Sequence, residues 1–332
     1  MTNRERFQCV LNGHLPDDRL PVMEWAPWWD QTVFSWRKQG LPEHLGWLEI
    51  RDYFGLDQHY QVSFPTIAPD CPQPSFFGGG IMGNEADYEK LLPYLYSDKL
   101  IDAGMEGIKA LKERHKRGEL PVWITLSGGF WYPRDLFGIE NHLFSFFDYP
   151  DLYHRIIEDL AAYQLRILDR VYEVLTPDFM TFAEDMSYNK GPMLSEELFH
   201  DFIAPLYHQV IPVLHQHGTK VIMDSDGDIS RMIPWMQEVG IDGVLPLERQ
   251  AGVDVCALRE QYPDFLFIGA FDKMTMRPST DAMRSEFQRL LPAMRSGGFI
   301  PACDHQTPPD VPLERYRDYV AMLHKYSEKA VR

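Results

Sequence analysis

Between Lys220 and Asp228 the sequence reads Lys-Val-Ile-Met-Asp-Ser-Asp-Gly-Asp, a short β-branched run that stops at three acids interleaved with a serine and a glycine. Side chains alternate along a strand, so Asp224 and Asp226 lean to one side of such a run and Ser225 to the other. Two carboxylates brought that close share a proton, hold a cation or form a shifted acid/base pair. Asp228 is read as the N-cap of a helix starting near Ile229, which leaves Asp226 for chemistry. The same pattern of an apolar run ending in acids recurs at Leu20–Glu24, at Asp178–Phe182 followed by Ala183, Glu184 and Asp185, and at Asp242–Glu248. It recurs again at Phe265–Ala270 followed by Asp272, and at Gly298–Ala302 followed by Asp304 and His305.

These ends need a scaffold that brings them together. Two further strands are expected at Gln58–Phe64 and Leu120–Leu126, and helices at Thr2–Asn12, Glu85–Leu92, Asp102–Arg117, Pro150–Leu175 and Leu313–Lys329. Eight strands separated by helices or long crossovers make an α/β protein, a single (β/α)8 TIM barrel over residues 1–332 with an N-terminal helical extension. In such barrels ligands sit at the carboxyl ends of the strands, where this sequence carries Glu24, Glu184, Asp185, Asp224, Asp226, Glu248, Asp272, Asp304 and His305. The first strand end is crowded by Trp25, Trp28, Trp29 and Trp36, which either wall an apolar ligand pocket or belong to the core. The Pro- and Gly-rich stretch Pro65–Gly83 is long enough for a binding loop or lid. Gly128 and Gly129 could bring amides to a ligand, but the spacing matches no phosphate-binding fingerprint.

Composition narrows the function. With 32 Lys plus Arg against 49 Asp plus Glu, the net charge is −17, which disfavours nucleic acid or an anionic membrane as a partner. Hydrophobic residues make up 45% and aromatics 13%, enough for a large core. Four sparse cysteines without CxxC spacing, no apolar start segment and no run of membrane-spanning length give the expectation of a soluble, cytoplasmic protein.

Three segments carry a resemblance. Asn3-Arg4-Glu5-Arg6-Phe7 with Asn12-Gly13-His14, the run Glu184-Asp185-Met186-Ser187-Tyr188-Asn189-Lys190-Gly191-Pro192-Met193, and Gln306-Thr307-Pro308-Pro309-Asp310-Val311-Pro312 together resemble the uroporphyrinogen decarboxylase superfamily. That superfamily also holds methyltransferases working with corrinoid proteins. True decarboxylases carry an arginine-rich segment after the first strand; here that place reads Met23-Glu24-Trp25-Ala26-Pro27-Trp28-Trp29-Asp30, so a polyanionic porphyrinogen would be repelled. The methyltransferase branch binds zinc through a His-x-Cys pair at the fifth strand end and a later Cys. Asp224 and Asp226 stand in place of the pair and His305 in place of the later Cys, a harder ligand set for zinc or another divalent metal acting on oxygen.

The resemblance therefore implies a methyltransferase that moves a methyl group from a small methylated, methoxylated substrate to a corrinoid protein. It implies Asp224, Asp226, Glu248 and His305 at the metal; Glu184, Asp185, Tyr188 and Lys190 in proton transfer or polar contacts; and Glu24, Trp25, Trp28 and Trp29 around the substrate. A homodimer is expected from the same resemblance. Plainer readings stand beside each: His305 bonded to Asp226 without metal or satisfying buried backbone, Cys303 simply buried, Lys190 solvated. Two other functions also stay open, a metal-independent decarboxylase of a less anionic substrate and a non-catalytic small-molecule or corrinoid binding protein. Arg249, next to Glu248, is the residue that would favour the first of these.

Overall fold

The structure is a computed structural model describing residues 1–26 and 28–332. Helices α1 (Asn3–Leu11), α2 (Asp30–Lys38) and α3 (Trp47–Phe54) precede the sheet. Helix α1 starts with a reciprocal capping box between Thr2 and Glu5 and buries Phe7, Val10 and Leu11, the apolar side expected for it. Strand β1 (Tyr60–Ser63) is followed by α4 (Glu85–Leu91) and α5 (Asp98–Lys116), and β2 (Val122–Ser127) by α6 (Trp131–Phe137), α7 (Ile139–Asp148) and α8 (Pro150–Tyr172). After β3 (Phe179–Ala183) come a small antiparallel hairpin, β4 (Ser187–Tyr188) and β5 (Gly191–Pro192), then α9 (Glu196–Leu198) and α10 (Ala204–Gln216). The chain ends with β6 (Lys220–Asp224), α11 (Ile233–Glu238), β7 (Gly243–Leu245), α12 (Val255–Gln261), β8 (Leu266–Phe271), α13 (Thr280–Met294), β9 (Phe299–Cys303) and α14 (Leu313–Val331).

Seven of these strands form one parallel sheet in the order β1-β2-β3-β6-β7-β8-β9. The later strands are apolar on both faces, as helix-covered parallel strands must be, with β8 and β9 buried at every residue, whereas β1 exposes Gln61 and Ser63. Register levels the carboxyl ends: Ala183 pairs with Asp224, Asp224 with Leu245, and Phe271 with Cys303. The acids that follow these residues consequently share one rim. Helix α8 lays Leu152, Ile156, Ile157, Leu160, Ile167 and Leu168 into the core, the stripe its 3.6-residue period dictates.

Two expectations are corrected. Leu20–Glu24 is not a strand among the described residues, so the sheet has seven strands rather than eight. Side chains satisfy much of its surroundings: the Asp57 carboxylate accepts the Val22 amide at 2.9 Å, and the Glu24 carboxylate accepts the Cys303 amide at 3.0 Å. The Asp57 amide also bonds Val22 O at 2.7 Å, just before β1, so the two outer strands are tied to the same short segment, as a curled sheet requires. The second correction is at Asp228. Its carboxylate closes a turn onto the Ser230 amide at 3.1 Å, and the helix begins later, at Ile233. No described helix is long and apolar enough to cross a membrane.

Candidate functional site

The ends of β3 and β6 open into a cavity of about 330 Å³ lined by Trp25, Trp131, Glu184, Asp185, Asp224, Asp226 and His305. Strand parity sets the arrangement on β6. Asp224 and Asp226 both reach the cavity, while Ser225 turns away and accepts the Met186 amide at 3.1 Å. Asp185 follows β3 with φ of +43°, a left-handed backbone uncommon outside glycine. That turn is held by the Glu184 and Asp185 amides on Asp224 O, at 2.9 and 3.3 Å, and directs the Asp185 carboxylate onto the Asp226 amide at 3.0 Å.

Three carboxylates thus crowd one space. Burial and the charge of Asp226 push Asp185 up to about 6, against the pull of the Asp226 amide. Burial, then Asp185 and Asp226, drive Asp224 well above the ordinary carboxylate range. Such a cluster favours a bound proton or a cation.

Beside it, Asp226, Glu248 and His305 each offer a ligand atom, and these atoms lie within 4.8 Å of one another. His305 Nε2 is 3.5 Å from Asp226 Oδ2. The Asp226 contact raises the imidazole above its ordinary value, against the effect of burial. The Gly227 amide donates to Glu248 Oε2 at 3.0 Å, which orients that carboxylate and leaves its other oxygen free of this bond. Gly227 has φ of +83°, and a Cβ there would stand 2.6 Å from the Tyr188 Cα, so the loop joining the acids admits only glycine. Trp25 packs its edge against His305, centroids 6.0 Å apart, and is anchored by its indole N–H on Cys303 O at 2.9 Å. Asp224 stands outside this three-residue group, in the neighbouring cluster.

Glu184 has another set of partners. It is 1% exposed; Oε1 accepts the Gly129 amide at 2.7 Å and the Tyr207 hydroxyl, and Oε2 accepts the Phe130 and Trp131 amides at 2.8 and 3.2 Å. Burial pushes its carboxyl up to about 7, opposed first by Tyr207 and then by the amides. The Gly128–Gly129 turn therefore wraps a side chain of the protein itself at the start of α6, where the unpaired amides favour a carboxylate. A Cβ on Gly128 would sit 2.0 Å from the Glu184 carboxyl carbon.

The other expected residues are dispersed. Tyr188 and Lys190 sit exposed on the hairpin, outside the lining of the acid cavity; Tyr188 contributes its carbonyl, which accepts the Asp228 amide at 2.9 Å. Of the tryptophans expected around substrate, Trp25 alone lines the acid cavity. Trp28 is 3% exposed and packs with Trp36, Phe54 and Tyr316 in the core, and its outer edge joins the exposed Trp29 in lining a separate depression with Trp47 and Gln306. Glu24 is buried beneath the rim. It accepts the Cys303 amide, the Cys303 thiol at 3.3 Å and the Tyr316 hydroxyl at 3.4 Å, and burial pushes it up to about 7 against these bonds. Cys303 is buried with it. Arg249 is spent locally: its guanidinium donates to Val253 O and its amide to Asp304, which is ion-paired with Lys273 at 3.1 Å. Sequence reasoning missed Trp131 and Arg134. The Gly-Gly turn that positions Trp131 was the available signal for the first; Arg134 had none.

Residues 73–326 match the family described as Uroporphyrinogen decarboxylase (URO-D). The fold is similar to the structure of a methyltransferase from Methanosarcina mazei, with a TM-score of 0.66 and 16% identity, over 98% of this chain and 99% of that one. A B12-independent methionine synthase from Shewanella sp. W3-18-1 is a looser match, with a TM-score of 0.44 and 11% identity over 68% of this chain and 66% of that one. No curated protein matches the sequence.

Proposed function

The chain belongs to the uroporphyrinogen decarboxylase (URO-D) family, and from that premise we propose that it is a methyltransferase. It takes the methyl group from a small methoxylated donor and delivers it to the reduced cobalt of a corrinoid protein. The observation that carries the reading is the grouping of Asp226, Glu248 and His305 beside a cavity lined by further carboxylates. The methyltransferase of similar fold supports it.

The donor set fits a divalent metal such as zinc. Two atoms each about 2.1 Å from one tetrahedral ion stand about 3.4 Å apart, and His305 and Asp226 are separated by 3.5 Å. The Gly227 amide on Glu248 and the Trp25 edge on His305 are the kind of support that ligands of a metal need. When bound, such a metal supplies a Lewis acid for the ether oxygen.

The protein's own residues then divide the work. Asp226, Glu248 and His305 orient the ether oxygen at the cavity wall. Asp185, raised to about 6 by burial and then by the charge of Asp226, is a stronger proton holder at neutral pH than an ordinary aspartate and gives its proton to the leaving oxygen. The carbon–oxygen electron pair stays with the oxygen, and the methyl carbon goes to the corrinoid cobalt. Glu184 fixes the turn that sets Trp131 in the wall. Tyr188 and Lys190 have no part in the proton step.

Metal content of the protein purified without chelator, beside His305→Ala, tests the reading. About one equivalent of a divalent ion in the parent, lost in the variant, together with methylation of a reduced corrinoid protein from methoxylated donors, is the expected result. Absence of metal in both after reconstitution defeats it and leaves the metal-independent decarboxylase as the next reaction to assay.

A further inference from the structure

A second and larger cavity, about 510 Å³, adjoins the acid cavity, and Trp131 lines both. It lies between the Pro- and Gly-rich segment around residues 67–81 and helix α6. Its size falls in the range of about 300–1,000 Å³ usual for small-molecule sites. The segment that walls it is bonded down onto the α6–α7 junction: the Ile81 and Met82 amides reach Leu136 O at 2.8 and 3.1 Å, and the Ile139 amide reaches Gly78 O at 3.0 Å. A Cβ on Gly80 would fall 2.2 Å from Phe137 O, so this close approach is built into the sequence. Residues 78–82 of the wall are thereby held against the α6–α7 junction.

Those walls are largely apolar, with Ile67, Pro72, Phe77, Ile81 and Ile139 among them, and just two charged side chains, Arg134 and Asp135, line the space. The Arg134 guanidinium lies over the Trp131 ring, 4.4 Å from its centroid. Among the described residues it makes no hydrogen bond or ion pair. A half-buried guanidinium with its donors unused offers a two-pronged set of N–H groups of the shape that a carboxylate accepts. Asp135 repels a second negative charge.

We propose that this cavity holds the body of the methyl donor, and that the donor is a small flat apolar ether carrying a single carboxylate. The carboxylate pairs with Arg134, the body lies against Trp131 and the apolar wall, and the methoxy group extends past Trp131 to the acid cavity. The methyl-ether part rests on the function proposed above; the recognition of a flat monocarboxylate does not.

Calorimetric titration of the full chain with 4-methoxybenzoate, and with 4-methoxybenzyl alcohol as the uncharged comparison, tests this. The carboxylate should bind at least about tenfold more tightly than the alcohol, as expected for a charge-assisted hydrogen-bonded pair. Arg134→Gln should erase that preference, bringing the carboxylate down to the alcohol's affinity in the same variant, Arg134→Lys should keep part of it, and Asp135→Asn should enlarge it. Equal affinities in the parent, no binding of either probe, or a preference that survives Arg134→Gln would each overturn the proposal. His305→Ala separates the two ideas. If it loses metal and methyl transfer but keeps the Arg134-dependent preference, both stand. If the parent shows the preference but neither metal nor transfer, the methyltransferase reading alone falls. If transfer is as fast from the alcohol ether as from the carboxylate and is indifferent to Arg134→Gln, the donor proposal alone falls.

Discussion

Removing the Glu184 carboxylate separates a holding role from a reacting one. In Glu184→Ala, the Gly129, Phe130 and Trp131 amides and the Tyr207 hydroxyl all lose their acceptor in a place that is 1% exposed. One buried donor left without a partner costs about 1–3 kcal/mol. Four do not add in full, because the turn relaxes and water enters the space left by the side chain. A net loss of about 3–5 kcal/mol is the scale for stripping one partner from a buried charged network. A chain of 332 residues unfolds with an entropy near 0.7 kcal/mol/K, so Tm should fall by about 4–7 °C. Thermal melts followed by circular dichroism read this directly, and Tyr207→Phe, which removes one donor and leaves the three amides bonded, should lie well short of the alanine variant. An alanine variant melting within about 1 °C of the parent, yet inactive in methyl transfer, would refute the reasoning and return Glu184 to the reacting groups.

Metal affinity should depend on pH through His305, whose pKa stands above the ordinary imidazole value. Below that raised pKa the proton competes for the ring, and the apparent affinity should fall about tenfold per pH unit, read by competition with a chromophoric chelator. The metal-free protein should show a different trend. Asp185 and Asp224 have pKa values raised above their unfolded values, so the stability they contribute is complete below about pH 3.8 and drains away as pH rises through about 6 and beyond. With chelator present, Asp224→Asn should therefore melt a few degrees above the parent at pH 8, a gap that narrows toward pH 4.5. Gly227→Ala meets both a positive φ and the Tyr188 backbone; it should weaken metal binding by about 10–100-fold, measured by the same competition, because the Gly227 amide would no longer aim Glu248.

The rim was visible in the sequence because parallel strands announce themselves locally. Lys220–Met223 is β-branched, unbroken and stopped by acids, and the two-residue period alone placed Asp224 and Asp226 on the side opposite Ser225. What failed was information held by distant partners. Leu20–Glu24 has the pattern of a strand, but Asp57 and Glu24 carboxylates occupy amides where ladder bonds were expected. Trp28 and Trp25 are three residues apart and similar in local setting; Phe54 and Tyr316 claim the first for the core, while Cys303 and His305 hold the second at the cavity. Glu184 and Asp185 are adjacent acids that composition cannot apportion. The amides that engage Glu184 come from a turn more than fifty residues earlier. Asp228 was read as a cap because it follows a turn, whereas the helix start was displaced to Ile233.

The contact between Gly128 and Glu184 has a consequence for how such sequences can diverge. A side chain at position 128 would occupy the space of the Glu184 carboxyl carbon, and a shorter residue at 184 would remove the reason for glycine at 128. Position 128 can therefore gain a side chain only once position 184 has changed. Because that pair sets Trp131, the partition between the two cavities, a relative that has exchanged both should have redrawn the boundary between where a donor rests and where it reacts, even with Asp226, Glu248 and His305 intact.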